Sequence, residues 1–534
     1  MLTRNLSLQL ALLLLLMGLQ ACGGGSDQDD TVSTEPIPTV PETTPPETEG
    51  PLTPSPGEAM AFFGPSDVIK IVDGESGFEG NIDSGDRFGR DHDKVGDIDG
   101  DGISDLVVGA RSDDDGATDA GAVYILFMNE DGTVKSNQKI SALTGNFDGE
   151  LFAGSFFGYG VAGIGDYDGD GIPDIAVSAP ASNDVHTVYI LHLNSNGTVK
   201  SMVKNTDITA FGLSAVGDLN DDGRIDIVAA DPGHTNGGAI HLLFFDESSE
   251  VIYNDIVTIG EYYGGFGEGL TEGDDFGGRE SALLGDLDGD GNKELAVGAF
   301  QSDGGIGAIW ILSLDSETNQ VVDKLKVAPG LSGFNETIST DENPNGTSGG
   351  HFGHALVATG DLNGDGIPDL VTGANQYADG VGYIIYLNAD KTVKTFTRIN
   401  SEEGGFDLSL QANERFSRSM SFVGISNTHF RINMGGGANG TGGMYVLNFQ
   451  GCSITPQDEQ TFWSGGNTLF SNWDHASQMV TGALSLEQCQ LKAFEHNGVN
   501  ITAKAADGRC IIKDANAKLE MSDEGSTAYA LVCP

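Results

Sequence analysis

A unit of two short motifs recurs along the middle of this chain, and it constrains the fold more than any other feature. Each regular copy opens on Phe-Gly, continues through an acidic loop into a short apolar strand, and ends with a strand rich in Tyr, Ile and Leu. The five regular copies open at Phe88, Phe157, Phe211, Phe276 and Phe352. A sixth, degenerate copy opens on Phe416-Ser417. Internal repeats of this length indicate stacked or radially arranged units.

The strands within the repeat predict an all-β fold. The strand after each acidic loop, such as Leu106–Ala110, is short, nearly all apolar and closed by small residues, as expected of a strand buried between neighbouring sheets. The next strand, such as Val123–Leu126, is similar but richer in aromatics. No copy shows sustained helical periodicity, and the spacing suits four strands plus loops. Radial packing of such sheets gives a β-propeller of four-stranded blades, which we expect to occupy residues 59–450.

The number of blades depends on how the ring closes. Six copies of the unit are present. The segment Asp67–Asp73 matches the outer strand that elsewhere precedes Phe-Gly, as Lys139–Leu143 does. We expect this N-terminal strand to complete the sixth blade and to seal the ring from both ends. The sequence therefore favours six blades, with seven as the alternative.

The first five copies each contain the pattern Asp-x-Asp/Asn-x-Asp-Gly-x-x-Asp/Glu. Alternate residues direct oxygen atoms at one point, Gly permits the tight turn, and the seventh-position carbonyl and ninth-position carboxylate complete the shell. An EF-hand would need an acid at position 12 and flanking helices, whereas here a strand follows at once. Oxygen-only ligands select a hard cation, and six or seven flexible ligands favour Ca²⁺ over Mg²⁺.

We therefore predict about five bound Ca²⁺ ions with a structural role. The side chains predicted to hold them are Asp97, Asp99, Asp101 and Asp105; Asp166, Asp168, Asp170 and Asp174; Asp218, Asn220, Asp222 and Asp226; Asp286, Asp288, Asp290 and Glu294; and Asp361, Asn363, Asp365 and Asp369.

The Phe-Gly opening, the acidic loop and a strand ending as in Ile175–Pro180 together resemble the FG-GAP family, found in integrin α chains and in many bacterial surface proteins. The resemblance covers about residues 75 to 450. It implies a calcium-binding propeller used in adhesion or ligand recognition. Ion ligands carry over to the five loops only, because the sixth copy has Ile425-Ser426-Asn427 where its loop should be. Integrin-like propellers have seven blades, so that alternative stays open.

The N-terminal segment reads as an export signal and a tether. Arg4 precedes an apolar run from Leu8 to Leu19, which is too short for an ordinary membrane-spanning helix. Residues 19–22, Leu-Gln-Ala-Cys, resemble a bacterial lipobox, so Cys22 is the predicted lipidation site; a plain signal peptide is the alternative. Residues 23–58 are rich in Pro, Thr and Glu and suit a disordered tether. These features predict export and lipid anchoring to the bacterial outer membrane or cell surface.

Residues 451–534 are predicted to form a small separate module. Its four cysteines, in an exported protein, most simply form two disulfides, and three pairings are possible. They are Cys452, Cys489, Cys510 and Cys533. The order of a helix and then a cystine strand faintly resembles PAN/apple domains, which bind proteins or glycans, although the fuller cysteine set of that family is missing. Trp463 and Trp473 are expected in the core of this module.

The net charge and the sequence motifs exclude several classes of binding partner and of catalytic site. A formal charge of −53 argues against nucleic acid or an anionic membrane surface as a partner, so membrane contact is expected only through the lipid anchor. Residues 158–163 match a dinucleotide fingerprint but run into an ion loop, not a helix. No nucleophile elbow, zinc-protease motif or phosphate loop is present. His351 and His354 are expected in surface or packing roles.

We therefore expect a monomeric, cell-surface recognition protein whose ligand is an extracellular protein or glycan. Two insertions are candidates for specificity or for simple decoration: Ala328–Gly350, and Glu261–Asp275 with Tyr262, Tyr263 and Phe266. The alternative is an extracellular lyase or hydrolase acting on polysaccharide. That activity would need paired carboxylates or a base at the centre of the ring.

Overall fold

The computed structural model describes residues 60–62, 67–182, 185–338, 349–377, 379–400, 410, 414–426, 429–437, 442–456, 478–480, 500–504, 509–513 and 527–532. This part of the chain is all-β apart from one helical turn, α1 (Ser302–Gly305). No helix in it is long and apolar enough to span a membrane. The predicted signal peptide, Cys22 and the tether lie outside the described residues.

Five four-stranded antiparallel sheets and four strands of a nine-stranded sheet form the six blades of a propeller, as predicted. Two strands precede the first blade: β1 (Met60–Phe62) and β2 (Asp67–Ile71). Blade one contains β3 (His92–Gly96), β4 (Asp105–Ala110), β5 (Ala122–Met128) and β6 (Val134–Ser141). Blade two contains β7 (Val161–Gly165), β8 (Asp174–Ser182), β9 (Val185–Leu193) and β10 (Val199–Thr206). Blade three contains β11 (Leu213–Ala215), β12 (Ile227–Asp231), β13 (Ala239–Leu243) and β14 (Val257–Gly260).

The remaining blades repeat this order from inner to outer strand. Blade four contains β15 (Phe276–Gly285), β16 (Lys293–Ala299), β17 (Ala308–Leu314) and β18 (Val321–Val327). Blade five contains β19 (Phe352–Gly360), β20 (Asp369–Ala374), β21 (Val381–Leu387) and β22 (Val393–Ile399). Blade six contains β23 (Met420–Ser426), β24 (His429–Gly436) and β25 (Gly443–Pro456), with β2 as its fourth strand.

The ring closes through the N-terminal strand. In blade six, β2 pairs antiparallel with β25, with Asp67 opposite Asn448 and Ile71 opposite Met444. The inner strands contact one another in a closed circle, since β23 of blade six lies against β3 of blade one. Six blades and closure by the segment that begins at Asp67 are therefore confirmed.

The last strand of blade six continues into the C-terminal segment. Beyond residue 450, β25 pairs with β1 and with β29 (Thr527–Val532). β29 pairs with β27 (Asn500–Lys504), which pairs with β28 (Arg509–Lys513), which in turn pairs with β26 (Gln478–Val480). The two predicted disulfides stay predictions, because the cysteine side chains lie outside what the structure describes.

The phenylalanine of the repeat anchors the space between blades. Phe88 is buried, stacks on Phe78 at 4.6 Å between ring centroids and meets Tyr124 edge-on at 5.6 Å. Equivalent aromatic triads recur around Phe157, Phe276 and Phe352. Aromatic pairs of this geometry add about 0.5–1.5 kcal/mol to the free energy gained by burying their area. The repeat therefore places one aromatic cluster at each of these four blade junctions.

A glycine before the third strand makes a second contact between blades. At Gly307 φ is +97°, and a Cβ atom there would lie 2.1 Å from the carbonyl oxygen of Phe352 in the next blade. Four other blades have the same arrangement, at Gly121, Gly238, Gly380 and Gly442. Because only glycine has no Cβ atom, the blades can approach one another this closely.

Candidate functional site

All five acidic loops lie on one face of the ring. In blade one, β3 ends at Gly96, the loop occupies residues 97–105, and β4 runs back toward the Phe-Gly end of the blade. The same order recurs in blades two to five. The inner strands therefore separate two surfaces, which we call the loop face and the Phe-Gly face.

The turn in each loop depends on glycine and on the first aspartate. At the sixth position φ lies between +86° and +93° in all five loops, a region that favours glycine. In the first loop the N–H groups of Gly100 and Gly102 donate to the two carboxylate oxygens of Asp97, both at 2.7 Å. The N–H of Ile103 donates to Asp101 Oδ1 at 2.9 Å. Backbone hydrogen bonds therefore hold the loop curled with its side-chain oxygens directed inward.

The ninth-position carboxylate joins the loop to the sheet. In every loop it accepts a hydrogen bond of 2.7–3.0 Å from the N–H of the second position. In loops one, two and five its other oxygen accepts from the N–H of a residue in the third strand, such as Met128. In loops three and four, Asp226 Oδ1 and Glu294 Oε1 are buried without a hydrogen-bond partner, and Nζ of Lys391 lies 3.9 Å from Glu294 Oε1. Asp226 Oδ1 thus remains available to a cation, whereas Glu294 Oε1 already lies near an ammonium group.

The electrostatics of this position also favour a cation. Burial raises the pKa of Asp105, Asp174 and Asp226 to about 7, and it raises the pKa of Glu294 and Asp369 as well. Neighbouring loop carboxylates raise it further. A bound divalent cation would stabilise the ionised form of each group.

The geometry of the predicted ligands is compatible with divalent cation binding. In three loops, a set of carboxylates offers oxygen atoms that all lie within 4.8 Å of one another. These sets are Asp97, Asp99 and Asp101; Asp166, Asp168 and Asp174; and Asp286, Asp288 and Asp290. A bound ion would contribute stability by binding the folded loop and not the unfolded chain.

Three loops are contacted by a lysine of their own outer strand that the sequence analysis did not identify, and loop four is contacted by Lys391 of blade five, 3.4 Å from Asp288. Lys135 Nζ lies 2.7 Å from Asp99 and 2.6 Å from Asp101, the third and fifth positions of its loop. Lys200 makes the same two contacts in loop two, and Lys394 lies 2.8 Å from Asp365 in loop five. Each lysine follows the first residue of the outer strand, in the sequence Thr-Val-Lys. Blade four has Val322 at this place, with 58% of its surface exposed.

The centre of the ring contains buried carboxylates whose hydrogen bonds link blades. Asp91 accepts from the N–H of Val161 in blade two at 3.3 Å. Glu280 in blade four accepts from the N–H groups of Leu356 and Met420 in blades five and six, at 3.2 and 3.3 Å. Burial raises the pKa of Asp91 to about 8, although Arg279 opposes this. These hydrogen bonds give both acids a structural role in closing the ring.

The two histidines singled out from the sequence have packing roles. His351 and His354 are buried and lie against the ring of Phe300, at 5.2 and 4.8 Å between ring centroids. Nδ1 of His354 lies 2.8 Å from the carbonyl oxygen of Arg418. Of the two roles expected from the sequence, the structure favours packing.

The Glu261–Asp275 insertion has a buried and an exposed part. Phe266, grouped with the candidate specificity residues, is buried against Trp310, so it belongs to the core. Tyr262 and Tyr263 are 66% and 44% exposed on the Phe-Gly face. In the second insertion, Phe334 packs in the core, and residues 339–348 lie outside the described part of the chain.

Comparison with known proteins agrees with the repeat and the fold. The FG-GAP-like repeat model matches residues 166–229, and the FG-GAP repeat model matches residues 95–126 and 352–387. Integrin alpha pat-2 of Caenorhabditis briggsae is 30% identical over 270 residues, which is 47% of this chain and 21% of the relative. Integrin alpha-5 of Xenopus laevis is 28% identical over 335 residues, which is 58% of this chain and 27% of the relative. Integrin alpha-6 of Homo sapiens is 40% identical over 130 residues, which is 24% of this chain and 11% of the relative. The chain thus spans about a quarter or less of these relatives.

Proposed function

Because the chain carries FG-GAP repeats that form an integrin-α-like propeller, we propose that it is a calcium-loaded recognition protein that binds an extracellular protein or glycan. The ring serves as a rigid platform, and the loop face holds structural ions. Ligand recognition takes place on the Phe-Gly face. The protein acts as a monomer outside the cell.

The calcium part of the proposal rests on the buried, unpartnered Oδ1 of Asp226 and on the carboxylate oxygens that converge in three loops. Leaving a buried charge without a partner costs several kcal/mol in general, so such groups are retained where an ion binds them. Asp226 occupies the ninth position of the nine-residue pattern, the position at which a carboxylate would close the shell of oxygen ligands.

The recognition part rests on the exposed pair Tyr262 and Tyr263. Tyrosine supplies a large contact area and a hydrogen-bonding hydroxyl, which is why it is enriched in binding surfaces. The pair lies in a connection between blades three and four, held by a hydrogen bond of 2.7 Å from the N–H of Leu270 to the buried Glu261 side chain. Two exposed aromatics on an anchored loop suit a contact surface.

A binding array tests this proposal. The calcium-loaded protein is applied to immobilised extracellular-matrix proteins and glycans, with and without chelator. Binding that is lost in the double variant Tyr262→Ser, Tyr263→Ser supports the proposed surface. The matched control is Tyr253→Ser, because Tyr253 is 51% exposed and lies near the turn between the third and fourth strands, on the loop face. Equal binding by the double variant and the control would contradict the proposal.

We also propose that the protein is exported and lipid-anchored through Cys22, with residues 23–58 as the tether. The apolar run and the residues before Cys22 support this. Metabolic labelling with an alkyne fatty acid should label the wild-type protein and not Cys22→Ala. Equal labelling of both proteins, or release of the wild-type protein into the medium, would contradict lipid anchoring.

A further inference from the structure

Six arginines converge at the axis of the propeller on the Phe-Gly face. Three of them, Arg90, Arg279 and Arg418, stand two or three residues after the Phe of blades one, four and six. Arg87 and Arg415 stand directly before that Phe, and Arg111 follows β4. We call these six residues the axial arginine cluster. The chain has only 26 lysines and arginines against 79 acidic residues, so this concentration of positive charge stands out.

Among the described residues, the cluster lacks counter-charges within contact distance. Each ion pair of 4.0 Å or less that joins described residues involves other side chains than these six guanidinium groups. Arg111 is only 8% exposed, and its Nε has no hydrogen-bond partner; Nε of Arg418 is buried and unpartnered as well. Burial and mutual repulsion lower the pKa of Arg90 to about 9. The arrangement is unfavourable for the protein alone, which indicates that it serves a ligand.

The acids nearest the cluster are engaged elsewhere. Asp91 and Glu280 accept backbone hydrogen bonds from neighbouring blades, as described above. Burial raises the pKa of Asp91 and Glu280, and to a lesser degree that of Asp275 beside Arg279. The raised pKa values of Asp91 and Glu280 reduce the negative charge that these two acids place beside the cluster.

Aromatic rings form the walls beside the guanidinium groups. Tyr159 lies between two of them, with Arg111 at 4.1 Å and Arg279 at 4.6 Å from its ring centroid. Nη2 of Arg279 lies 3.2 Å from the Tyr159 hydroxyl oxygen. Next to Arg418, His354 and Phe300 supply a second wall. Five of the six arginines and Tyr159 are only half-buried, so a small ligand can reach them from solvent.

We propose that the axial arginine cluster is a binding site for a small oxyanion, such as the carboxylate of an acidic sugar or inorganic sulfate. The planar guanidinium fork matches carboxylate and sulfate oxygens in pairs. The remaining acidic surface repels anions, so the axis is where the field of this protein attracts them. The site lies at the opposite end of the inner strands from the acidic loops and does not use Tyr262 or Tyr263. A test of the oxyanion site therefore gives a result that does not depend on whether the function proposed above is correct.

Titration calorimetry on the calcium-loaded full chain tests the site, with glucuronate and sulfate as separate probes and glucose as the neutral control. We expect saturable binding of one anion per chain and none of glucose. Arg279→Gln and Arg418→Gln should each weaken binding about tenfold or more, the loss typical of a charge-assisted hydrogen bond. Lys204→Gln is the matched control, because it removes one positive charge from the exposed outer strand of blade two.

The two probes also distinguish the source of the oxyanion. Binding of glucuronate at lower concentration than sulfate assigns the site to an acidic sugar, whereas the reverse order assigns it to a free inorganic anion. In either case each probe should displace the other. No saturable binding by the wild-type protein, or equal affinity in Arg279→Gln, Arg418→Gln and Lys204→Gln, would overturn the proposal. If an arginine variant does not fold, competition on the wild-type protein decides, because two probes that bind without displacing each other contradict a single site.

Discussion

Replacing Gly307 by alanine should loosen the junction between blades four and five. The backbone at Gly307 has φ of +97°, where an L-residue costs about 1–2 kcal/mol. The new Cβ atom would lie 2.1 Å from the Phe352 carbonyl oxygen. That oxygen cannot withdraw freely, because the N–H of Phe352 donates to the Ile306 carbonyl at 2.9 Å. Overpacking of this kind costs about 1–3 kcal/mol, and the lower chain entropy of alanine offsets about 0.5–1 kcal/mol.

The net loss in the free energy of unfolding is therefore about 1–4.5 kcal/mol, measured by urea denaturation in calcium buffer. Gly330→Ala is the control, because Gly330 has φ of +78° in the same blade and no atom within 4 Å of a Cβ position. It should lose only about 1 kcal/mol. If the two variants lose the same free energy, the contact between blades does not have the steric tightness inferred here.

Other predictions concern the loops, the axis and the closing strand. Lys135→Met should raise the calcium affinity of the first loop, because the ammonium group competes for two ligand carboxylates. Val322→Lys should lower the calcium affinity of the fourth loop. Calcium titrations that find changes of the opposite sign would contradict this competition. Asp91 has its pKa raised by burial to about 8, so the folded state binds an extra proton between about pH 4 and 8, and stability falls as the pH rises through that window. Asp91→Asn should flatten the decline between pH 6 and 8, on the order of 1 kcal/mol per pH unit, and an unchanged slope in urea denaturation would refute the assignment. Deleting Asp67–Ile71 should expose β25 as an unpaired edge strand. The melting temperature should fall, and self-association should be seen by size-exclusion chromatography. A stable monomer would argue against closure of the ring by this strand.

The repeat made most of the fold predictable. A Phe-Gly opening and an acidic nine-residue loop recur in register, so the blades and five loops could be located without coordinates. The closing strand could also be recognised, because Asp67–Asp73 has the same pattern as the outer strands. These features are local in the chain, and local patterns are what a sequence displays.

The unpredicted features depend on contacts between distant segments. Lys135 meets Asp99 only because the turn between the third and fourth strands lies beside the acidic loop on the same face. The axial arginines come from separate blades and meet only when the ring closes. The sequence groups Phe266 with the candidate specificity residues because it lies in an insertion, yet that insertion folds back and buries the ring against Trp310. The Thr-Val-Lys sequence and the arginines just after Phe are signals that an aligned set of repeats would display.

Counting the ions tests the central claim most directly. Native mass spectrometry of the calcium-equilibrated protein should find five Ca²⁺ per chain, and chelator should remove them and lower the melting temperature. At tenfold above its Kd, each site adds about 1.4 kcal/mol, so five independent sites add roughly 7 kcal/mol to the free energy of unfolding. A protein that binds no calcium and melts at the same temperature with and without chelator would contradict the assignment of the five loops.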